Sequence, residues 1–131
     1  MSDFEKVKDY LMELEYDITS EDESEEILVI NDESKGIKNL VIDCEAPILI
    51  IEQFIATVGN PSTKTLIRLL QMNRSLVHGA FVLDETGQKV IFRDTLQIAN
   101  LDKNELEGSL QSLELGMVEY GQELISFVTN N

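Results

Sequence analysis

The spacing of apolar residues changes along the chain from a helical period to an extended one and back. The first apolar stripe, at intervals of three and four, consists of Phe4, Val7, Leu11 and Leu14. This spacing predicts an amphipathic helix over residues 3–15, which Asp3 can cap. From residue 27 onward the apolar residues come in short runs separated by turn residues, which is typical of strands.

These patterns predict helices and strands in the order α-β-β-β-α-β-β-α. The predicted helices cover 3–15, 60–77 and 102–127, and the predicted strands cover 27–31, 37–44, 48–57, 80–84 and 89–99. Asn60 is the predicted cap of the second helix, with Pro61 in its first turn. The length of 48–57 also permits a helix, and the acidic stretch 19–26 is predicted as a strand edge or a loop. The order predicts an α+β fold with a mostly antiparallel sheet covered on one face by helices.

The last predicted helix begins with a capping-box pair, Asp102 and Glu105. An apolar heptad seam follows, made of Leu106, Leu110, Leu113, Met117, Tyr120, Leu124 and Phe127. Such a seam can dock on the sheet as part of the core, or it can pair with another chain. We favour docking, because a sheet this apolar needs a cover.

The predicted sheet has apolar residues on both faces, since neighbouring positions in its strands are equally apolar. Three helices cover one face of such a sheet but hardly both, and an uncovered apolar face predicts a protein interface. In the third predicted strand, Ile48, Ile50 and Phe54 share one face by the two-residue period, with Glu52 between them. We predict these three apolar residues as the partner-binding residues.

Composition and charge limit the classes of partner that we expect the protein to bind. The chain of 131 residues is predicted to form a single domain, 1–131, with a net charge of −15. Residues 1–45 hold 15 acidic and 4 basic residues, a net of −11. The negative charge repels nucleic acid and anionic membranes, so we expect binding to neither, and it favours basic partners. The N-terminus lacks the apolar region of a secretory signal, and one cysteine allows no intrachain disulfide, so a cytoplasmic location is expected.

No pattern in the sequence predicts an active site. His78 and Cys44 lie in no catalytic motif, and both are expected to be structural. The run from Glu21 to Glu26 lacks the spacing of a calcium loop, and no glycines form a phosphate loop, so we expect no metal and no cofactor. The remaining question concerns the cations Arg68, Arg74 and Arg93. They could bind an acidic peptide or a phosphate, although surface ion pairs are favoured.

Three segments carry a family resemblance: Leu69–Arg74, His78–Gly87 and Val90–Leu96. Together with the long acidic closing helix, they resemble the type III secretion chaperone fold, as in the Tir-chaperone class and the related YbjN-like family. The resemblance covers the element order of nearly the whole chain and the local pattern of about residues 66–127. It implies a small acidic homodimer that holds a partner chain or regulates by binding, and it supplies no catalytic residues.

The leading hypothesis is therefore a homodimeric, chaperone-like or adaptor-like protein that holds a partner polypeptide on an apolar surface. The alternative is a regulatory signalling module of the YbjN type that senses a ligand or a protein partner. An enzyme with an unrecognised acidic site is the third class. A pocket with converging polar groups would favour that third hypothesis.

Overall fold

The chain folds into one six-stranded antiparallel sheet with three helices. The computed structural model describes residues 1–129. The helices are α1 (Asp3–Glu13), α2 (Thr63–Asn73) and α3 (Lys103–Thr129), and a short 3-10 helix covers Glu33–Lys35. The strands are β1 (Asp17–Asp22), β2 (Ile27–Asp32), β3 (Ile37–Glu45), β4 (Ile48–Thr57), β5 (Ala80–Leu83) and β6 (Lys89–Gln97). Their order across the sheet is β1-β2-β3-β4-β6-β5.

All three helices contribute to a hydrophobic core on one face of the sheet. The strand residues of this covered face alternate with half-buried ones, as Leu49 and Ile51 do in β4. They join α1, α2 and the seam of α3 in one cluster, in which Leu106, Leu110, Leu113 and Leu124 have no exposed surface. The docking interpretation of the heptad seam is therefore confirmed, and the predicted antiparallel α+β fold with one covered face is confirmed as well.

The ends of two helices differ from the prediction because serines, not the predicted residues, cap them. Ser2 rather than Asp3 is the N-cap of α1, and its hydroxyl accepts a hydrogen bond from the backbone N–H of Glu5 at 3.1 Å. Ser62 rather than Asn60 is the N-cap of α2. The predicted capping box of α3 is confirmed, since Asp102 Oδ1 accepts from Glu105 N at 2.7 Å and Glu105 Oε1 accepts from Asp102 N at 3.3 Å.

The sheet contains one strand more than predicted. β1 lies at the sheet edge, and only Ile18 among its residues is partly buried. A strand in which one side chain alone is partly buried has no apolar alternation, and for this reason the sequence pattern left 19–26 open as a strand edge or a loop. The segment 48–57, which could also have been a helix, is confirmed as a strand over its full predicted length.

The connection between α2 and β5 explains why α2 ends at Asn73 instead of near residue 77. The Asn73 side chain accepts from the backbone N–H of Phe81 at 2.8 Å and donates to the Phe81 carbonyl at 3.2 Å, which ties the helix end to the strand. Gly79 then has a φ of +72°, and a Cβ at this position would lie 2.6 Å from Phe92 Cζ. Glycine is required there for both reasons.

We predict that shortening the docked seam destabilises the fold. Leu113→Ala removes a side chain with no exposed surface, so it should lower the free energy of unfolding by about 2–5 kcal/mol. Met12→Ala, on the exposed side of α1, should change it by less than about 0.5 kcal/mol. Urea unfolding followed by circular dichroism measures both. Equal stabilities of the two variants would contradict the docking of α3.

Candidate partner-binding surface

The face of the sheet opposite the helices, here called the open face, contains the three residues predicted to bind a partner. In β4, Ile48, Ile50 and Phe54 alternate with the core residues and point away from the helices. Ile48 and Ile50 are half-buried by their neighbours in the sheet, whereas Phe54 is 54% exposed. The structure therefore places all three on one uncovered surface.

Aliphatic side chains of three neighbouring strands lie together on one part of the open face. Five aliphatic side chains make up this aliphatic patch: Ile27 and Val29 of β2, Val41 of β3, and Ile48 and Ile50 of β4. Val29 lies directly opposite Val41 across the strand pair. The other members lie opposite carboxylates, since Ile27 and Ile50 are opposite Asp43 and Ile48 is opposite Glu45.

Phe54 belongs to a second apolar strip on the same face. It lies opposite Ile91 of β6, and Ile91 lies opposite Val82 of β5. Between this strip and the aliphatic patch, Glu52 forms an ion pair with Arg93 from the neighbouring strand. Arg93 thus has the ion-pairing role that the sequence favoured, and the pair lies between two apolar areas of the open face.

Asp43 interrupts the aliphatic patch. It lies opposite Ile27 on one side and opposite Ile50 on the other. Its Oδ1 is shielded from solvent and has no hydrogen-bond partner among the residues that the structure describes. Burial raises the pKa of this carboxyl above its ordinary value, and the negative charge of Glu45 raises the pKa further. With Glu52 and the aliphatic residues Val41 and Ile50, Asp43 lines a shallow pocket of about 210 Å³.

A second set of exposed apolar side chains, here called the outer helix surface, lies on α2, on the segment that follows it and on α3. Its members are Ile67, Leu70, Val77, Leu115, Val118 and Ile125. The two helices run antiparallel beside each other, because Arg68 forms a two-pronged ion pair with Glu123 at 2.6 and 2.8 Å while His78 contacts Ser112, nearer the start of α3. Arg68 is therefore an ion-pair residue, as favoured.

The structure does not bring the other chemical candidates together. Cys44 is buried on the covered face of β3, and burial raises the pKa of its thiol to about 12. His78 precedes β5, which is separated from β3 by two strands. The acidic run 21–26 is divided between the end of β1 and an exposed turn. Within residues 1–129, no three His, Cys, Asp or Glu side chains are grouped so that they could hold a metal ion.

Two features of these surfaces were missed by the sequence reasoning. Asp43 was not singled out, because its neighbours across the strands are known only once the strand pairing is known. The outer helix surface did leave a signal, since Leu115, Val118 and Ile125 follow each other at helical spacings of three and seven. This second stripe was overlooked beside the stronger core seam on the same helix.

The chain belongs to the CesT_Tir_1 family, a type III chaperone family, whose model matches residues 1–130. The resemblance inferred from the sequence is thereby confirmed. Comparison with the curated proteins gave no significant match. Within the described residues, no helix has the length and apolar character needed to cross a membrane.

Several solved structures share the fold at low sequence identity. YbjN from E. coli, a candidate transcription regulator, has a TM-score of 0.65 at 13% identity, with 92% of each chain covered. An uncharacterized protein from Methanothermobacter thermautotrophicus has a TM-score of 0.63 at 15% identity, covering 95% of this chain and 98% of that one. A chain of the HopA1–SchA chaperone–effector complex has a TM-score of 0.61 at 13% identity, covering 96% and 94%.

We predict opposite effects on stability for two aspartates of the open face. The pKa of Asp43 is raised in the fold, so its charged form is disfavoured, and Asp43→Asn should stabilise the protein at neutral pH. This gain should disappear as the pH falls through the raised pKa of Asp43. The pKa of Asp22 is lowered, mainly by the hydroxyl of Ser24, so Asp22→Asn should cause a small loss that likewise fades in acid.

Urea unfolding from about pH 7 down to about pH 2 measures both effects, because the Asp43 effect fades above the ordinary aspartate pKa of 3.8 and the Asp22 effect fades below it. A loss of stability in Asp43→Asn at neutral pH would show that the folded state favours the Asp43 carboxylate, contrary to its surroundings in the structure.

Proposed function

We propose that this protein is a chaperone-like binding module that holds a partner polypeptide on the open face of its sheet, without catalysis. The observation that carries the proposal is the one-sided cover of the sheet, which leaves the aliphatic patch and Phe54 outside the core. Exposed apolar areas of this kind mark interaction sites in folded proteins. Membership of a chaperone family supports the same role.

The contact residues are Ile48, Ile50 and Phe54. Phe54 is the anchor, because an exposed aromatic ring at an interface gains the largest buried area on binding. Ile48 and Ile50 extend the contact toward β3, where Val41 adds to the same surface. A partner segment lying across β4 would therefore cover the Glu52–Arg93 ion pair as well.

The test compares two exposed apolar side chains of similar exposure. Phe54 is 54% exposed on the open face, and Met12 is 59% exposed on α1, on the other side of the sheet. We expect Phe54→Ala to reduce the partner recovered with the tagged protein from its source cells at least several-fold. Met12→Ala should leave the recovery unchanged, since it alters a surface that the partner does not contact.

Thermal unfolding is the control for folding in both variants. We expect melting temperatures close to the wild-type value, because neither side chain belongs to the core cluster. If Phe54→Ala unfolds the protein, or if both variants recover the partner equally, Phe54 is not the anchor of a binding surface.

We also propose a homodimer joined through the outer helix surface. Two copies that met through the open face would gather the carboxylates around both aliphatic patches in one interface, where Arg93 is already paired with Glu52. The outer helix surface holds the most exposed of these apolar side chains, with Leu70 at 71% and Val118 at 84%, and Glu119 lies beside Val77 and Leu115. Self-association there would bury this apolar area and leave the open face free for a partner.

Light scattering coupled to size-exclusion chromatography measures the dimer directly. We expect a mass near twice the 14.8 kDa of one chain at tens of micromolar, and a single-chain mass for Val118→Glu. Met12→Glu adds the same charge at an exposed site elsewhere and should remain dimeric. A wild-type monomer, or a dimer that survives Val118→Glu, contradicts this interface.

The second candidate function is a regulatory module that senses a ligand or a protein partner. The likeness of fold to YbjN over 92% of the chain favours it. Recovered partners distinguish the two roles, because a chaperone keeps its client from aggregating while a regulator changes the activity of a partner that is already folded. Light scattering of the purified client, with and without the protein, makes that distinction.

A further inference from the structure

The charges around the aliphatic patch are unbalanced. Four carboxylates stand at cross-strand positions in or beside it, those of Asp22, Asp43, Glu45 and Glu52. Arg93 is paired with Glu52 and leaves the other three without a cation among the ion pairs formed within residues 1–129. An apolar surface with this surplus of negative charge favours an apolar partner that brings positive charge.

Asp43 is the centre of this imbalance. Its neighbours across the strands are both isoleucines, and its shielded Oδ1 has no hydrogen-bond partner within the described residues. A partner that covered the patch with apolar side chains alone would remove the remaining solvent from an unpaired carboxylate, which costs free energy. A lysine or arginine in the partner would instead pair with that carboxylate in the same buried setting.

We propose that the aliphatic patch binds a polypeptide segment in which apolar side chains flank a lysine or arginine that pairs with Asp43. The inference rests on the proposed function and adds the chemistry of the partner. A second copy of this chain fits the patch less well, because its open face would bring the same carboxylates and its Arg93 is already paired with Glu52. The need for a lysine or arginine also makes binding selective between segments, since an apolar segment without a cation at this position leaves Asp43 unpaired.

The probes are three labelled eleven-residue peptides in which serine and valine alternate. The central valine is replaced by lysine in the first, by methionine in the second and by glutamate in the third. Each replacement lies on the same face as the valines when the peptide is extended. Fluorescence anisotropy titration gives the dissociation constants at one salt concentration. We expect the lysine peptide to bind about ten-fold more tightly than the methionine peptide, and the glutamate peptide to bind most weakly.

Two variants with the same net charge locate the effect. Asp43→Asn should abolish the preference for lysine over methionine. Asp9→Asn, on the exposed side of α1, removes one negative charge far from the patch and should keep the preference. If both variants reduce the preference equally, the attraction comes from the overall field of the protein, and the pairing with Asp43 is overturned.

The remaining outcomes separate this inference from the proposed function. If the lysine and methionine peptides bind wild-type protein equally, and Ile50→Ser weakens both, the open face binds polypeptide but the cation requirement is wrong. If no peptide binds at millimolar concentration, the inference is overturned. The recovery of partner by Phe54→Ala then decides the proposed function separately, because that experiment uses the natural partner and not the peptides.

Discussion

The apolar seam of α3 packs against the same face of the sheet that α1 and α2 cover, and the other surfaces depend on this contact. Leu106, Leu110 and Leu113 are fully buried there, beside Leu49 and Ile51 of β4. A helix of this length can cover one face of the sheet or pair with another chain through its main seam, but it cannot do both with the same residues. Once it docks, the opposite face has no cover from the described part of the chain.

The open face has consequences for solubility as well as for binding. An apolar sheet face favours aggregation, and charged side chains on it are a common defence. Asp43 and Glu52 lie on the face itself, and the Glu52–Arg93 pair divides its apolar area into two parts. The same carboxylates that discourage self-association would select for a partner with positive charge, so that one feature serves both requirements.

The two exposed apolar surfaces differ in chemistry. The open face mixes aliphatic side chains with carboxylates, whereas the centre of the outer helix surface is formed by Leu70, Leu115 and Val118. In the proposed dimer the outer helix surface joins two identical chains, and the open face receives a different one. The separation allows a dimer to present two open faces at once. A binding protein of a chaperone family needs such a division, since self-association through the client site would block the client.

The sequence by itself determined the presence of the three helices, the capping box and seam of α3, and the face shared by Ile48, Ile50 and Phe54, because each of these follows from local spacing. It did not determine β1, in which one side chain alone is partly buried, or which face of β4 is covered, since Ile48, Leu49, Ile50 and Ile51 are equally apolar. Only the tertiary structure decided these points. Strand pairing places Asp43 between Ile27 and Ile50, and the orientation of α3 leaves its second stripe outside the core. The strand pairing and the orientation of α3 arise from contacts between residues far apart in the chain, and a local sequence pattern does not predict such contacts.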